Sequence, residues 1–374
     1  MIQCPKCNNN IEIDKSFFGG VVDCLECKEK NIIPLNLTSG LNIENYRLEE
    51  FIAKGGTAEV WLASNLTTGK TVAIKLIDPT LTKDEKILHR FQSELNLTSK
   101  LKHKNIISTL NAGVISGVCY LVMEYIEGEE LDFIIEEANR LPEKESLEIC
   151  LKVVSGLEYA WKNLKVLHRD IKPSNIMLAE GATIKIMDMG IAKSSLQTRG
   201  ITTLGEAVGT PCYMSPEHLL GKEELDFRTD IYSLGATLYL MLTGEKVFDA
   251  ENPMEVAKKV LKENFKSPKK IIPELSDNVT ELLNIMLAKN KEDRQESYGD
   301  LKKDISDVLD GKPPTSKNKD EKVSAHDRHT VAMQAISEDE RYIKKHDNKI
   351  RLKDILIAGG IFIILILIAL YFVM

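Results

Sequence analysis

Charged side chains set inside apolar runs constrain this chain most, because a charge that faces a core needs a partner. TVAIKLI (Thr71–Ile77) is a short β-type run broken by Lys75. In KILHRFQSELNLTSKLK (Lys86–Lys102) the helical stripe is Ile87, Phe91, Leu95 and Leu101, and Glu94 lies on it, three residues after Phe91. Either charge alone reads as part of a solvated face. Together, after a glycine-rich turn, they read as a pair that neutralises itself and aims the ammonium at a phosphate. VLHRDIKPSNIML (Val166–Leu178) then sets Asp170 and Asn175 astride Lys172, and KIMDMGIAK (Lys185–Lys193) adds Asp188 two residues before Gly190. Phosphoryl transfer from ATP needs oxygen ligands for Mg²⁺, a cation on the migrating phosphate and a base at the attacking hydroxyl. These residues supply that inventory.

The glycine-rich turn is IAKGGTAEV (Ile52–Val60), which reads as a phosphate-cradling loop with Gly55 and Gly56 at its tip. Glycine serves such a loop by allowing φ > 0 and close approach of backbone N–H groups to phosphate. Ala53 and Ala58 stand where its outer glycines are expected. The loop is altered at its edges and intact at its tip, which predicts weaker ATP binding with the chemistry preserved.

The N-terminus raises a separate problem. Of seven cysteines, four fall in two C-x-x-C pairs, Cys4/Cys7 and Cys24/Cys27, within four-cysteine zinc spacing. Cys119, Cys150 and Cys212 are scattered, which fits a reducing compartment better than a disulfide framework. Residues 1–36 are too few to bury a sufficient core alone, so a tetrahedral Zn²⁺ on four thiolates would supply the folding energy. The segment resembles bacterial zinc ribbons of the CPxC…CxxC kind. These often carry glycine after each second cysteine, where φ is positive; Asn8 tolerates that conformation and Lys28 tolerates it less well. Lys6, Lys15, Lys28 and Lys30 are balanced by Glu12, Asp14, Asp23, Glu26 and Glu29, and the whole chain carries −7. No basic stripe exists for a phosphate backbone, so no nucleic-acid partner is expected.

The other end, ILIAGGIFIILILIALYFVM (Ile355–Met374), holds no charge and no proline. At roughly 1.5 Å per residue it spans about 30 Å, a bilayer's hydrocarbon thickness. Lys344, Lys345, Lys349, Arg351 and Lys353 flank it. The positive-inside rule then places everything N-terminal in the cytoplasm. MIQCPKCNNN has no basic n-region and no apolar run, so no signal peptide is expected, and the expected arrangement is a single-pass C-terminal anchor behind a polar and basic linker, residues 310–354.

Between these ends, residues 46–309 resemble the eukaryotic-like (Hanks-type) bacterial serine/threonine protein kinases. The resemblance rests on VAIK (Val72–Lys75), HRDIKPSN (His168–Asn175), DMG (Asp188–Gly190) and SPE (Ser215–Glu217), in that order. It implies an α+β bilobal protein kinase fold, with a small β-rich N-lobe and a larger helical C-lobe, in addition to the zinc ribbon and the transmembrane helix. By resemblance, Asp170 is the catalytic base and Lys172 sits on the γ-phosphate. Asn175 and Asp188 hold Mg²⁺ (or Mn²⁺). Lys75, braced by Glu94, touches the α- and β-phosphates. Glu124–Ile126 form the hinge after Met123, the gatekeeper. Ile52, Val60, Ala73 and Met177 sandwich adenine, Asp230 anchors the catalytic loop, and Glu217 pairs with Arg294. Lys172 and GTPCYMSPE (Gly209–Glu217) mark Ser/Thr specificity. Arg169 suits docking of a phosphothreonine, with Thr202 and Thr203 as the expected autophosphorylation sites. Met189 stands for the usual phenylalanine and Ser215 for alanine. Protein substrates are the implied partners. Anchoring favours phosphorylation in trans, so a homodimer is one expected assembly. The alternative is a pseudokinase scaffold that binds nucleotide without chemistry; the presence of Lys75, Asp170, Asn175 and Asp188 weighs against it.

Overall fold

Side-chain alternation along two strands explains how the N-terminal sheet is built. In β8 (Thr71–Ile77), Val72, Ile74 and Leu76 join one apolar cluster, whereas Ala73 and Ile77 join a second on the opposite face. In β10 (Val118–Glu124), Val118, Tyr120 and Val122 go to the first, and Cys119, Leu121 and Met123 to the second. A strand buried on both faces reads as a continuous apolar run. Period two places Lys75 on the second face, with Ala73 and Ile77.

The computed structural model describes residues 2–13, 19–81, 92, 95, 98–189, 211–222 and 224–316. Glu94, Thr202, Thr203, nearly all of the 310–354 linker and Ile355–Met374 lie outside the described residues. The described residues fall in one compact unit.

That unit begins with two short hairpins, β1 (Ile2–Gln3) with β2 (Asn10–Ile11), and β3 (Gly20–Asp23) with β4 (Lys30–Ile33). Asn8 and Lys28 each take φ of 58°, so the lysine adopts the left-handed turn despite its side chain. Next come β5 (Asn42–Ile43), β6 (Tyr46–Lys54), β7 (Ala58–Asn65), β8, β9 (Thr109–Ile115) and β10, forming an antiparallel sheet in the order β5-β6-β7-β8-β10-β9. The β9–β10 turn is Ser116-Gly117, both with positive φ, which matches a two-residue hairpin loop. The second N-terminal hairpin, β3–β4, rests on this turn. Val21 N–H donates to Ser116 O at 3.0 Å, and a Cβ at Gly20 would meet that oxygen at 2.1 Å. Leu35 and Leu37 continue the contact into the first apolar cluster.

The second lobe is helical. β11 (Gly128–Glu130) leads into α1 (Leu131–Ala138) and the long α2 (Glu143–Leu164); the latter buries Leu147, Cys150, Val153, Val154 and Leu157 at helical spacing. β12 (Ile176–Ala179) pairs with β11 on one side and with β13 (Thr183–Ile186) on the other. The remaining helices are α3 (Pro216–Leu219), α4 (Arg228–Thr243), α5 (Pro253–Lys262), α6 (Asp277–Met286) and α7 (Tyr298–Leu309). Side chains of Ser215, Asn252, Ser276 and Ser297 accept the first free N–H groups of α3, α5, α6 and α7. From Thr229 to Thr243, α4 is buried on all sides and forms the axis of this lobe. A Cβ at Gly235 would meet Met286 Cβ at 2.9 Å, so glycine sets how closely α4 and α6 cross.

Candidate active site

The segment between α2 and β12 holds only a 3-10 turn, Pro173–Asn175, and buried hydrogen bonds fix its shape. Asp230, on α4, accepts His168 N–H at 2.9 Å and Arg169 N–H at 2.8 Å. Tyr298 O–H adds a third donor at 3.3 Å. Burial nevertheless pushes the Asp230 carboxyl above its ordinary range, with His168 and the two N–H groups opposing it. The expected anchoring of this loop by Asp230 is therefore present. Asp170 N–H donates to His168 Nδ1 at 3.2 Å, and His168 Nε2 lies 2.7 Å from Met187 O. A carbonyl only accepts, so Nε2 carries a proton. The histidine thus ties Asp170 to the residue preceding Asp188. Arg169 and Asp188 both sit in the left-handed region, at φ of 64° and 53°. Strain of this kind persists where surrounding contacts over-determine it, and it clusters at functional sites.

The acids and cations expected to act together converge here. Asn175 Nδ2 donates to Asp170 O at 2.7 Å and Asp170 Oδ2 at 3.0 Å, which leaves its amide oxygen as a hard donor. Lys172 Nζ is 3.4 Å from Asp170 Oδ2. Lys75 Nζ donates to Asp188 Oδ1 at 2.6 Å. Burial would raise the Asp188 carboxyl, but Lys75, then His168 and Lys172, hold it below its ordinary value. The expected bracing of Lys75 by Glu94 falls outside the described residues; among the described residues the carboxylate partner of Lys75 is Asp188.

The residues expected around the nucleotide lie on β6, β7, β8 and β12. Ala73 is buried on β8, Val60 is partly buried on β7, Met177 is partly buried on β12, and Ile52 on β6 is exposed. Gly55 and Gly56 form the exposed β6–β7 turn, with Gly55 N–H donating to Ala58 O at 2.9 Å. Neither takes positive φ, contrary to the expectation for this loop. A Cβ at Gly56 would meet nothing within 4 Å, and one at Gly55 only Ala58 O at 3.9 Å. No protein atom requires glycine at the tip, which leaves close approach of an outside group as its physical use. Ala58 is different, since its methyl is buried with Ala73 and Ile77. Behind Met123, the buried Met189 lines a small cavity with Thr98, Ile106 and Leu121. A flexible thioether fills such an irregular apolar slot.

Glu124, expected with Ile126 in the hinge, ends β10. Glu124 has a second attachment, because its Oε1 accepts Lys185 Nζ at 2.7 Å and Ser108 N–H at 2.8 Å. Sequence reasoning missed Lys185 and also Glu130. Partial burial, then Asp132 and Asp188, push the Glu130 carboxyl up, while Lys172 opposes them, so it belongs to the same electrostatic cluster. Further down, the expected Glu217–Arg294 pair is present, at 2.7 and 2.9 Å.

This arrangement decides the family, because residues 46–303 match the protein kinase domain. The chain belongs to the protein kinase family. It is 31% identical over 275 residues to the serine/threonine-protein kinase PknB of Mycobacterium leprae, covering 72% of this chain and 44% of that one. For PknB of Mycobacterium tuberculosis the figures are 32% over 276 residues, 72% and 44%. The chain therefore spans less than half the length of these curated relatives. The crystal structure of the M. tuberculosis PknI kinase domain superposes with a TM-score of 0.59 at 24% identity, covering 72% of this chain and 99% of that one. That likeness shows the bilobal kinase fold, a curled β-sheet lobe and a helical lobe.

The ribbon cysteines form a second cluster. All four Sγ atoms lie within 4.8 Å of one another, with Cys4–Cys27 at 3.6 Å and Cys7–Cys24 at 3.5 Å. Four sulfurs about 2.3 Å from a tetrahedral Zn²⁺ stand ~3.8 Å apart, so the donor set and its size fit zinc. Backbone N–H groups, that of Cys7 foremost, hold the Cys4 thiol down to about 6, which favours the thiolate that metal ligation needs.

Proposed function

We propose that this protein is a membrane-anchored kinase that transfers the γ-phosphate of ATP to serine and threonine hydroxyls of proteins. The observation that carries this reading is the convergence of Lys75, Asp170, Lys172, Asn175 and Asp188 in one cleft between the lobes. Asp170 accepts or orients the hydroxyl proton of the acceptor, held by His168 from below and Asn175 from the side. Lys172, already near Asp170, neutralises charge on the γ-phosphate, and Lys75 does so on the α- and β-phosphates. The oxygens of Asn175 and Asp188 suit Mg²⁺, which when bound neutralises phosphate charge and aligns the transferred group. Ile52, Val60, Ala73 and Met177 enclose the base, with the Glu124–Ile126 backbone reading its edge.

Regulation in this reading runs through Thr202 or Thr203. Either one, once phosphorylated in trans by a second copy, docks on Arg169, whose backbone is held in the left-handed region beside Asp170. Residues 1–36 hold one Zn²⁺ on Cys4, Cys7, Cys24 and Cys27. Residues 355–374 anchor the chain, with the kinase domain and the zinc module in the cytoplasm.

The test uses the full chain in detergent with labelled ATP and Mg²⁺, beside Asp170→Asn. Label on serine or threonine in the wild type and none in the variant is expected, with Thr202 or Thr203 among the mapped sites. An unlabelled wild type would return the pseudokinase reading to first place.

A further inference from the structure

Glu124 holds a charge that phosphoryl transfer leaves unused. It ends β10 beside Met123, and its carboxylate turns into a three-way junction. Oε1 accepts Lys185 Nζ and Ser108 N–H, while Glu124 N–H donates back to Ser108 O at 3.0 Å. Lys185 lies on β13, three residues before Asp188. The loop carrying Ser108 is itself stitched to β13. Asn105 Nδ2 donates to Ile184 O, Ile186 N–H to Asn105 O, and Ile107 N–H to Ile186 O, each at 2.9 Å. The hinge, this loop and the strand that delivers Asp188 therefore share one hydrogen-bonded junction.

An ion pair on a surface contributes little, and that is the plainer account of Lys185 and Glu124. Three observations weigh against it. Lys185 is 14% exposed and Glu124 30%. The carboxylate also accepts a backbone N–H, so losing the lysine leaves a partly buried charge with a single donor. Burial would raise the Glu124 carboxyl, yet Lys185 and Ser108 hold it below its ordinary value.

We propose that Lys185 is a positioning residue for nucleotide binding, which holds Glu124 and thereby fixes the hinge Glu124–Ile126 relative to Asp188. The inference rests on the ATP site proposed above. In that site one ligand is met at both ends, its base at the hinge and its phosphates at Asp188. A strut between the two ends sets their separation in advance, so binding does not have to establish it. Asp170 is held from elsewhere, by His168, and His168 and Arg169 are held by Asp230. Loss of the strut falls on nucleotide affinity and spares the chemical step.

The experiment compares full-length wild type, Lys185→Met, Lys185→Arg, Glu124→Gln and the Lys185→Met/Glu124→Gln double variant in detergent. ATP affinity is read by displacement of a fluorescent ATP analogue, and kcat and KM by transfer to myelin basic protein. Lys185→Met is expected to weaken ATP binding and raise KM roughly five- to tenfold, with kcat within about twofold. Lys185→Arg should recover most of the affinity, and the double variant should be less impaired than Lys185→Met, because the stranded carboxylate is gone. An unchanged ATP affinity in Lys185→Met overturns the proposal. So does tighter binding, which would make the pair a restraint on the hinge, or a fall in kcat at constant KM. A wild type that binds nucleotide but transfers no phosphate removes the kinase reading, while displacement still decides the role of Lys185. A wild type that binds no nucleotide removes both.

Discussion

Arg294→Met should destabilise the helical lobe by an amount that depends on pH. The Arg294 guanidinium is fully buried and Glu217 is 5% exposed. Nη1 and Nη2 donate to the two carboxylate oxygens of Glu217, and the remaining donors reach the carbonyls of Ala288, Arg228 and Lys289. Burial alone would raise the Glu217 carboxyl; Arg294 holds it down to about 2, against an ordinary 4.5. A carboxyl depressed on folding adds stability that is present above its unfolded value and is lost as pH falls through the folded one. The depression from 4.5 to about 2 corresponds to about 3 kcal/mol at neutral pH, lost progressively below pH 4.5. Without the arginine, Glu217 keeps the Thr229 hydroxyl, at 3.0 Å, the Ser215 hydroxyl and a backbone N–H but no cation, and the stranded charge costs about 3–5 kcal/mol at pH 7. The sign then reverses in the variant, where burial lifts the carboxyl above 4.5 and protonation relieves the penalty.

Urea unfolding reads this directly. Trp161 packs on Phe227, which packs on Tyr298, so its fluorescence reports on the same lobe. The variant should unfold at lower urea than the wild type at pH 7.5, and the gap should narrow steadily toward pH 4. Adding Glu217→Gln to Arg294→Met should restore part of the loss at pH 7.5 and little at pH 4. A gap that stays constant between pH 7.5 and pH 4 would falsify the assignment of the loss to a stranded carboxylate.

Two further outcomes follow from the ribbon and the loop. Purified protein should carry one zinc per chain by elemental analysis, and a chelator or Cys24→Ser should remove it; limited proteolysis should then cut within residues 1–36 while the urea midpoint of the helical lobe stays put, and full protection of the metal-free ribbon would contradict a metal-held fold. Ala53→Gly should lower KM for ATP with little change in kcat, because this exposed β6 residue borders the turn. Ala58→Gly should instead cost about 1 kcal/mol in urea midpoint, because its methyl is buried and glycine weakens a strand interior. Equal effects of the two on KM, with no loss of stability in Ala58→Gly, would show that the loop treats both edges alike.

The residues that carried the sequence reading share one property. Lys75, Asp170, Asn175 and Asp188 each announce themselves locally, as charged or amide groups at short spacing within apolar or proline-marked sequence. Asp230 and the Glu217–Arg294 pair became legible through resemblance, and the structure supplies the same buried contacts. What stayed hidden needs two distant segments to be brought together. Lys185 and Glu124 are 61 residues apart, and each alone reads as an ordinary strand charge. Glu130 joins the cluster only because β11 pairs with β12. The left-handed backbone at Arg169 and Asp188 has no glycine or asparagine to signal it, since tertiary hydrogen bonds impose it. The docking of the β3–β4 hairpin depends on Gly20 meeting the Ser116 carbonyl, and a glycine in so short a strand also reads as a bulge or a turn. Lys75 shows where such reading stops even for a residue found correctly. Sequence places an ammonium in the cleft, and packing chooses which carboxylate it meets. Among the described residues that carboxylate is Asp188, so in the proposed ATP site the phosphates compete with Asp188 for the Lys75 ammonium. The strength of the Lys75–Asp188 contact thus enters the ATP affinity directly, alongside the two alanines of the loop.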